Sequence, residues 1–458
     1  MPTLRRPPGP EDRSILGNFP MGSEDPLGTF TRWARTYGDI FHYRFLHRHI
    51  YFINHPELIK EVLITQASGF RKGDALRANR RIFGNGLLSN EGSSWLEQRR
   101  LIQPAFHRTR IESYAATMVA YTERMLATWA PDEVRDIHED MMRLTLEIVS
   151  KALFSVEISS EEDRIAVALN TLMQLSTGGR LLLPEVFRRI PTAKNRGYKR
   201  ANDELDEIVY GIIGRRQREP SSSAHDLLGA LLEARYDDGS AMSVQQLRDE
   251  VMTLLLAGHE TTAVSLSWAW LLLAQHPEVE QQLARELEER LAGGAPTVQD
   301  IPSLALTERI VKEAMRLYPP AWAIVRTAVQ DIELGGYRVP ASSTVIMSQW
   351  VMHRDPRFYD EPEEFRPDRW LEERYRSAPR FSYFAFGGGP RICIGASFAM
   401  TEAVLVLATV AQKWQMRLTS EAAPDPIPGI TLRPRNGLKL SVSPRECVGA
   451  SPVQTRVS

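Results

Sequence analysis

The feature that most constrains this chain is a glycine-rich segment, residues 386–395, that leads directly into an apolar run with helical spacing. Because N–H groups and the positive dipole end stabilise negative charge at a helix N-terminus, we expect a lowered pKa for the Cys393 thiol within it. Glycines let the backbone approach a flat group closely, and Arg391 can meet an acid on that group. An ordinary buried cysteine is the alternative, but the length of the pattern favours haem iron bound by Cys393.

Cysteine content and charge exclude several other classes of protein. The second cysteine, Cys447, lies in a polar C-terminal tail, so the two cysteines predict neither a disulfide framework nor a zinc site. A reducing, cytoplasmic location fits this use of cysteine. The net charge of -1 indicates no preference for nucleic acid, and 43% hydrophobic with 25% charged residues is typical of a globular chain.

We expect a single domain over residues 1–458, with a short proline-rich N-terminal segment and a polar C-terminal tail. Brief glycine or proline-serine stretches are predicted to be surface loops rather than linkers: residues 178–179, 220–223 and 293–294. The N-terminal segment shows no apolar stretch able to act as a signal or membrane anchor. The longest apolar run, residues 251–274, is interrupted by His259 and Glu260, which predicts a buried core helix rather than a membrane span.

Helical periodicity dominates the rest of the chain. Apolar residues recur at helical spacing over residues 95–102, 111–129, 136–154, 161–176, 201–217, 224–236, 244–275, 277–291 and 303–317. Partial alternation and β-branched or aromatic residues predict strands at residues 40–45, 49–53, 333–339, 344–347 and 438–442. The expected fold class is therefore mainly α with a small β-sheet region.

A second chemical pattern lies inside the long helix predicted over residues 244–275. Glycine inside a helix costs about 1 kcal/mol relative to alanine, so Gly258 suggests that something needs room there. Glu260 and Thr261 add a carboxylate and a hydroxyl in the same turn, and such groups need partners when they are buried. The alternative is a helix kink in which Thr261 bonds back to a carbonyl. In a chain that also carries Cys393, a functional role is favoured.

Two further pairs have helical spacing. Glu313 and Arg316 are three residues apart and share a helix face, where the alternative is an exposed ion pair worth about 0.3 kcal/mol. Trp95 and Arg99 are four apart and place an indole N–H and a guanidinium on one face. For that pair the alternative is a core tryptophan beside a surface arginine.

Together these motifs resemble the cytochrome P-450 superfamily, and the resemblance covers nearly the whole chain. It implies a fold in which haem b, iron protoporphyrin IX, lies between a long distal helix and a proximal cysteine loop. Cys393 would be the axial iron ligand, which favours cleavage of the O–O bond. Further residues would contact the cofactor: Trp95, Arg99, Ala257, Gly258, Arg326, Phe386, Gly387, Arg391 and Gly395. The resemblance assigns the haem propionates to Trp95, Arg99, Arg326 and Arg391.

The resemblance also implies catalytic and structural roles. Thr261 and Glu260 would deliver protons during the activation of dioxygen. Glu313 and Arg316 would be locked by a second arginine, Arg369, on the proximal side of the cofactor.

The implied reaction inserts one atom of dioxygen into an apolar substrate by hydroxylation or epoxidation. A fatty acid, terpenoid or steroid-like molecule fits the mainly apolar segments that would line the pocket: residues 71–88, 174–188, 254–261 and 321–325. A charged substrate would require an arginine to turn inward, and the candidates are Arg77, Arg80 and Arg81.

The chain has no flavin or iron–sulfur segment of its own, so electrons would come from a ferredoxin or flavodoxin with its reductase. A basic patch could steer such a partner, and it would be formed by Arg100, Arg108 and Arg110. Two alternatives share the Cys393 site: a haem-thiolate peroxygenase or isomerase, and a non-catalytic haem sensor.

Overall fold

The computed structural model describes residues 6–12, 17–74, 76, 80–158, 162–175, 192–218, 226–419 and 423–445. Several features predicted from the sequence lie outside these residues: the loops at 178–179 and 220–223, Arg77, Cys447 and most of the segment 174–188.

Helices make up most of the described chain, which confirms the mainly α fold class. They are α1 (Pro26–Tyr37), α2 (Pro56–Lys60), α3 (Arg80–Phe83), α4 (Gly92–Ile102), α5 (Arg108–Leu126), α6 (Ile137–Phe154), α7 (Glu162–Leu175), α8 (Ala193–Arg218), α9 (Leu227–Glu233), α10 (Val244–Gln275), α11 (Pro277–Leu291), α12 (Ala305–Leu317), α13 (Gln349–Met352), α14 (Glu373–Arg376) and α15 (Ala396–Lys413). Single helical turns connect them: Pro20–Gly22, Glu61–Thr65, Ala67–Gly69, Gln103–Phe106, Ile301–Ser303, Pro367–Leu371, Arg380–Ser382 and Gly389–Arg391.

The strands are short. They are β1 (Ile40–Phe45), β2 (Arg48–Ile53), β3 (Phe70–Lys72), β4 (Glu133–Asp136), β5 (Ile324–Ala328), β6 (Ile332–Leu334), β7 (Tyr337–Val339), β8 (Thr344–Met347), β9 (Trp414–Leu418), β10 (Pro426–Pro428), β11 (Leu432–Pro434) and β12 (Lys439–Pro444). One sheet has the order β1-β2-β8-β5-β3 and another has the order β4-β12-β9, while β6-β7 and β10-β11 form separate pairs. The five-stranded sheet and the helices have separate apolar clusters.

Helix α10 runs through the centre of the helical core. Its N-terminus is capped by Ser243, whose hydroxyl accepts from the N–H of Gln246 at 3.1 Å. It ends before Pro277 begins α11, because the residue before a proline disfavours the helical conformation. The helix packs against α6, α12 and α15, so the prediction of a buried core helix is confirmed. Within the described chain, no helix is long and apolar enough to cross a membrane.

The sequence reading missed several elements. Helix α1 has the local signals of a helix start, since Pro26 occupies its first turn and Asp25 accepts from the N–H of Gly28 at 2.8 Å. Strands β3 and β5 have no such signal, because they pair with each other across more than 250 residues, with Lys72 opposite Arg326. The apolar run that follows the glycine-rich segment forms α15, which ends at Lys413, and β9 begins at the next residue.

Candidate functional site

The loop before α15 holds Cys393 in a fixed position. The N–H of Cys393 donates to the carbonyl of Phe386 at 3.0 Å, and the N–H of Gly387 donates to the carbonyl of Phe384 at 2.8 Å. Gly389 has a φ of +67°, and a Cβ there would lie 1.9 Å from a backbone oxygen of the helical turn Glu61–Thr65. A side chain at this position is therefore excluded both by backbone conformation and by the close approach of another segment.

Two glycines of this loop that the resemblance assigned to the cofactor differ in their constraints. Gly387 has a φ of +72°, and an added Cβ would lie 3.3 Å from the side chain of Ile324. Gly395 caps α15 with an ordinary φ of -91°, and an added Cβ there would make a normal contact of 3.7 Å with Phe106. Backbone geometry therefore requires glycine at 387 but would accept alanine at 395.

The thiol of Cys393 lies in desolvated surroundings, but its surface is not covered by other atoms. The sulfur is therefore accessible rather than enclosed by packed side chains. Burial raises its pKa, while the N–H of Gly395 and the guanidinium of Arg99 act in the opposite direction. The lowered pKa expected from the helix N-terminus is therefore wrong for the free thiol, because desolvation outweighs those stabilising groups. A coordinated metal ion would deprotonate it.

The centre of α10 has one uncovered face. Ala257 is exposed and Gly258 and Thr261 are half-buried, whereas the neighbouring positions from 251 to 273 are buried. Positions i and i+4 share a side of a helix, so Ala257 and Thr261 face one space. Helix α10 packs against α15, the helix that follows the loop carrying Cys393.

Two details of this face differ from the sequence expectation. The Thr261 hydroxyl donates to the carbonyl of Ala257 at 2.8 Å, which is the backbone bond that the alternative reading anticipated. Its oxygen still has accepting capacity. A Cβ on Gly258 would lie 2.9 Å from the side chain of Val149 on α6. The lack of a side chain at Gly258 therefore lets α10 and α6 pack closely against each other.

Glu260 points away from this face and is almost fully buried. Its Oε1 accepts from the hydroxyl of Thr431 and from Nε of Arg433, the latter at 2.7 Å. Its Oε2 has no hydrogen-bond partner among the residues that the structure describes. The partners on the 431–433 segment were not foreseen, because nothing local in the sequence links them to α10. His259, to which we assigned no role, bonds by Nδ1 to the carbonyl of Leu255 at 3.1 Å.

Three cations surround the buried ring of Trp95. The ammonium of Lys72 lies 5.4 Å from the ring centroid, and the guanidinium carbons of Arg99 and Arg391 lie 5.7 and 5.6 Å from it. Arg391 also forms an ion pair of 2.6 Å with Glu91. Lys72 donates to two backbone carbonyls, and burial lowers its pKa to about 7. The sequence reading missed both Lys72 and Glu91, which join this cluster only through the fold.

Arg326 lies on β5, next to β3, which carries Lys72. Its side chain is 9% exposed and its only hydrogen bond within the described chain goes to the neighbouring Val325 carbonyl at 3.0 Å. Burial, reinforced by the charge of Arg391, lowers its pKa to about 10. A buried guanidinium without a carboxylate partner is costly, and this position is therefore suited to an anion supplied from outside the chain.

The three residues of the expected structural network lie together. Glu313 pairs with Arg316 at 2.9 Å and with Arg369 at 2.8 Å, and all three side chains are fully buried. Arg316 also donates to the carbonyls of His353 and Pro362. The alternative of a solvent-exposed ion pair is wrong, because the pair lies under the Pro367–Leu371 turn that carries Arg369.

Fold and site together define a class of protein: a helical core in which a glycine-rich cysteine loop and an uncovered face of a long central helix border open space. Comparison with known proteins identifies it. The profile of the cytochrome P450 family matches residues 7–442. Cyclooctatin synthase of Streptomyces melanosporofaciens is 38% identical over 432 residues, covering 94% of this chain and 92% of the relative.

Two more relatives carry the names of oxygenases. Cyclooctat-9-en-7-ol 5-monooxygenase of the same organism is 36% identical over 438 residues, 92% of each chain. Pentalenene oxygenase of Streptomyces avermitilis is 36% identical over 411 residues, 89% of this chain and 91% of the relative. The chain belongs to the cytochrome P450 family. It is a haem-iron monooxygenase that uses dioxygen and electrons from a redox partner.

Proposed function

We propose that Cys393 would bind the iron of haem b in this enzyme and that its substrate is an apolar terpenoid. The observation that carries the proposal is the sulfur of Cys393, held in a rigid loop, desolvated and yet uncovered. Other thiols of the described chain offer no competing ligand, because Cys393 is the single free cysteine found there. A non-covalent haem b is favoured since the sequence lacks a Cys-x-x-Cys-His attachment motif.

The residues present fit this cofactor. Haem carries propionate carboxylates, and Arg326 is a buried cation for which the described chain provides no carboxylate. Arg99 donates to the carbonyl of Ile392 at 3.0 Å and otherwise stands beside Trp95. Arg391 is already paired with Glu91, so it would share its charge between that side chain and a propionate. We therefore assign the propionates first to Arg326 and Arg99, with Arg391 and Trp95 in support.

The protein contributes positions and protons. When haem is bound, it supplies the chemistry by which one atom of dioxygen is inserted into a C–H or C=C bond. Ala257 and Thr261 provide the uncovered helix face on the distal side. The Thr261 oxygen can accept a further hydrogen bond, and Glu260 in the same turn is the acid that would pass protons inward. Phe386 and Gly387 shape the loop on the proximal side, and Gly395 begins the helix behind it.

The substrate class follows from the relatives and the lining. Two relatives are named for oxidation of cyclooctat-9-en-7-ol and pentalenene, which are terpenoids. In this chain the residues at 321–325 are apolar and only partly covered, next to the strand that carries Arg326. Arg80 is exposed, and Arg71 pairs with Asp74 at 3.1 Å, so neither supports a charged substrate. An apolar ring system is therefore favoured over an anion.

The electron donor is proposed to be a ferredoxin or flavodoxin in the cytoplasm. Arg100 and Arg108 are exposed, and Arg110 is half-buried, near the helix that carries Arg99. Opposite charge on a small acidic partner would speed its encounter with this side of the molecule. The peroxygenase and sensor alternatives receive no separate support, because neither requires the acid and hydroxyl of Glu260 and Thr261.

Turnover on terpenes tests the proposal. Purified enzyme would be titrated with cyclic terpene hydrocarbons and with fatty acids of similar size, following the optical shift that accompanies loss of the iron's water ligand. We expect tight binding and product formation with cyclic terpenes and a ferredoxin system. Product from hydrogen peroxide alone would support a peroxygenase instead, and binding without any product would support a sensor.

A further inference from the structure

The carboxylate of Glu260 is held from one side only. Oε1 accepts from the hydroxyl of Thr431 and from Nε of Arg433 at 2.7 Å, and Nη2 of the same arginine lies 2.6 Å from that oxygen. Oε2 is buried, and the described part of the chain offers it no partner. Buried carboxylate oxygens are normally hydrogen-bonded, so an asymmetry of this kind indicates a functional reason.

The two donors stand on a fixed segment. Leu432, between them, accepts at 2.8 Å from the indole N–H of Trp268 on α10, and its own N–H donates to the carbonyl of Pro320 at 3.0 Å. Strand β11 also pairs with β10. Thr431 and Arg433 therefore reach the carboxylate from a backbone that is tied to the same helix. Their position relative to α10 does not depend on a surface loop.

We infer that Arg433 and Thr431 are positioning residues that hold Glu260 through its Oε1 and reserve its Oε2 as the oxygen that takes up and returns protons. The inference rests on the proposed function, in which this acid delivers protons beside Thr261. The charge-assisted hydrogen bonds from Arg433 fix the orientation of the carboxyl group through Oε1 alone. A proton that arrives binds Oε2, where no described donor competes, and can be passed on from there.

Two imidazoles also lie near the carboxylate of Glu260, those of His138 and His259. His138 bonds by Nδ1 to the hydroxyl of Ser267 at 3.0 Å, and burial lowers its pKa to about 4. Burial also lowers the pKa of His259. Burial thus disfavours the charged form of both imidazoles, and among the described residues Arg433 is the cation that pairs with Glu260.

The test compares Arg433→Gln with Arg435→Gln. Arg435 is a matched control in the same region, since it is 53% exposed and lies 3.4 Å from Asp425. Infrared spectra of the haem-loaded enzyme, with Glu260→Gln as the reference that identifies the band, would report whether this carboxyl is ionised. Product formed per electron consumed would be measured across pH in the same variants.

In Arg433→Gln we expect the carboxyl band of Glu260 to change and product per electron to fall about tenfold, because the carboxyl group is no longer held through Oε1. A structural defect away from Glu260 would leave this band unchanged. Arg435→Gln should match the parent. An unchanged band and unchanged coupling in Arg433→Gln would overturn the inference.

A second variant keeps the test decisive if Arg433→Gln does not fold. Thr431→Val preserves the shape of the side chain but removes one donor to Oε1, so we expect a smaller change of the carboxyl band and of coupling in the same direction. If neither the band nor the coupling changes, Thr431 does not position Glu260. The proposed function is tested separately by Glu260→Gln. If that variant retains full coupling, the acid has no part in proton delivery. If it uncouples while the variants at 431 and 433 do not, only the positioning role is lost.

Discussion

The proximal ion-pair network and the distal turn of α10 handle buried charge in opposite ways. In the proximal network every donor of Arg316 is used, because its guanidinium reaches both oxygens of Glu313 and the carbonyls of His353, Pro362 and Glu364. In the distal turn Glu260 keeps one oxygen without a described partner. Complete pairing suits a part that must not move, whereas an incomplete shell leaves a group able to exchange a proton.

The largest expected effect comes from breaking the complete network. Glu313→Ala would leave the guanidinium groups of Arg316 and Arg369 buried without a carboxylate, which should destabilise the protein by about 3 to 5 kcal/mol. Chemical denaturation would measure the loss. Arg32→Gln is the control, because Arg32 and Asp25 form an exposed pair with side chains 65% and 59% exposed. Equal stability of Glu313→Ala and this control would contradict the account.

A different buried acid sharpens the comparison. Glu402 on α15 is fully buried, and its oxygens lack hydrogen-bond partners within the described residues. Burial raises its pKa from 4.5 to about 8, with the Thr262 hydroxyl acting in the other direction. A folded-state pKa above the unfolded value means that the folded acid holds its proton longer. This contribution to stability is present below pH 4.5 and is lost as pH rises toward 8.

Glu402→Gln should therefore flatten the pH dependence of stability between pH 4.5 and 8, and stabilise the protein at the upper end of that range. Melting temperatures of parent and variant across this range would measure the difference. The sign is opposite to that of Glu313→Ala, since one acid is paired and the other is not. A variant whose stability falls in parallel with the parent as pH rises would refute the assignment.

Replacing Arg326 should leave the haem-free protein at least as stable as the parent but should weaken haem retention in the loaded enzyme. Replacing it with methionine removes a buried cation, so the haem-free protein should be no less stable than the parent. The loaded enzyme should lose haem about tenfold faster to an excess of a haem-scavenging protein, because a charge-assisted hydrogen bond to a propionate is gone. Slower or unchanged haem loss would remove this residue from the propionate site.

Thr261→Ala should have the smallest effect on stability, because its half-buried hydroxyl bonds only to a helix carbonyl. We nevertheless expect product per electron to fall by about tenfold, since a proton-positioning group is lost. Ser265→Ala is matched, as Ser265 makes the same backbone bond on the same helix, to the Thr261 carbonyl at 3.0 Å. Similar coupling in the two variants would argue against a role for the Thr261 hydroxyl.

The sequence predicted elements best where capping and periodicity are local. The predicted bounds 244–275 and 277–291 coincide with α10 and α11, because Ser243 and Pro277 mark their starts. Strand pairing was predicted poorly. Strands β3 and β5 were missed because they pair with each other across a long stretch of chain, and no local pattern marks that pairing.

The functional site shows the same difference between features with a local sequence pattern and features that depend on tertiary contacts. Motif residues such as Cys393, Thr261 and the pair Glu313 and Arg316 could be found from short-range spacing. Their partners could not: Glu91, Lys72, Thr431 and Arg433 reach the site only through tertiary contacts. The pKa of the cysteine was also misjudged, because the helix N-terminus is visible in the sequence whereas the degree of desolvation is not.

The central claim is the bond between Cys393 and haem iron, and the optical spectrum of the reduced enzyme under carbon monoxide tests it most directly. A thiolate ligand predicts a Soret band at the long-wavelength position typical of this ligation, and this band should be lost in Cys393→Ala. A band typical of histidine-ligated haem in the parent enzyme, or a spectrum unaffected by Cys393→Ala, would contradict the account.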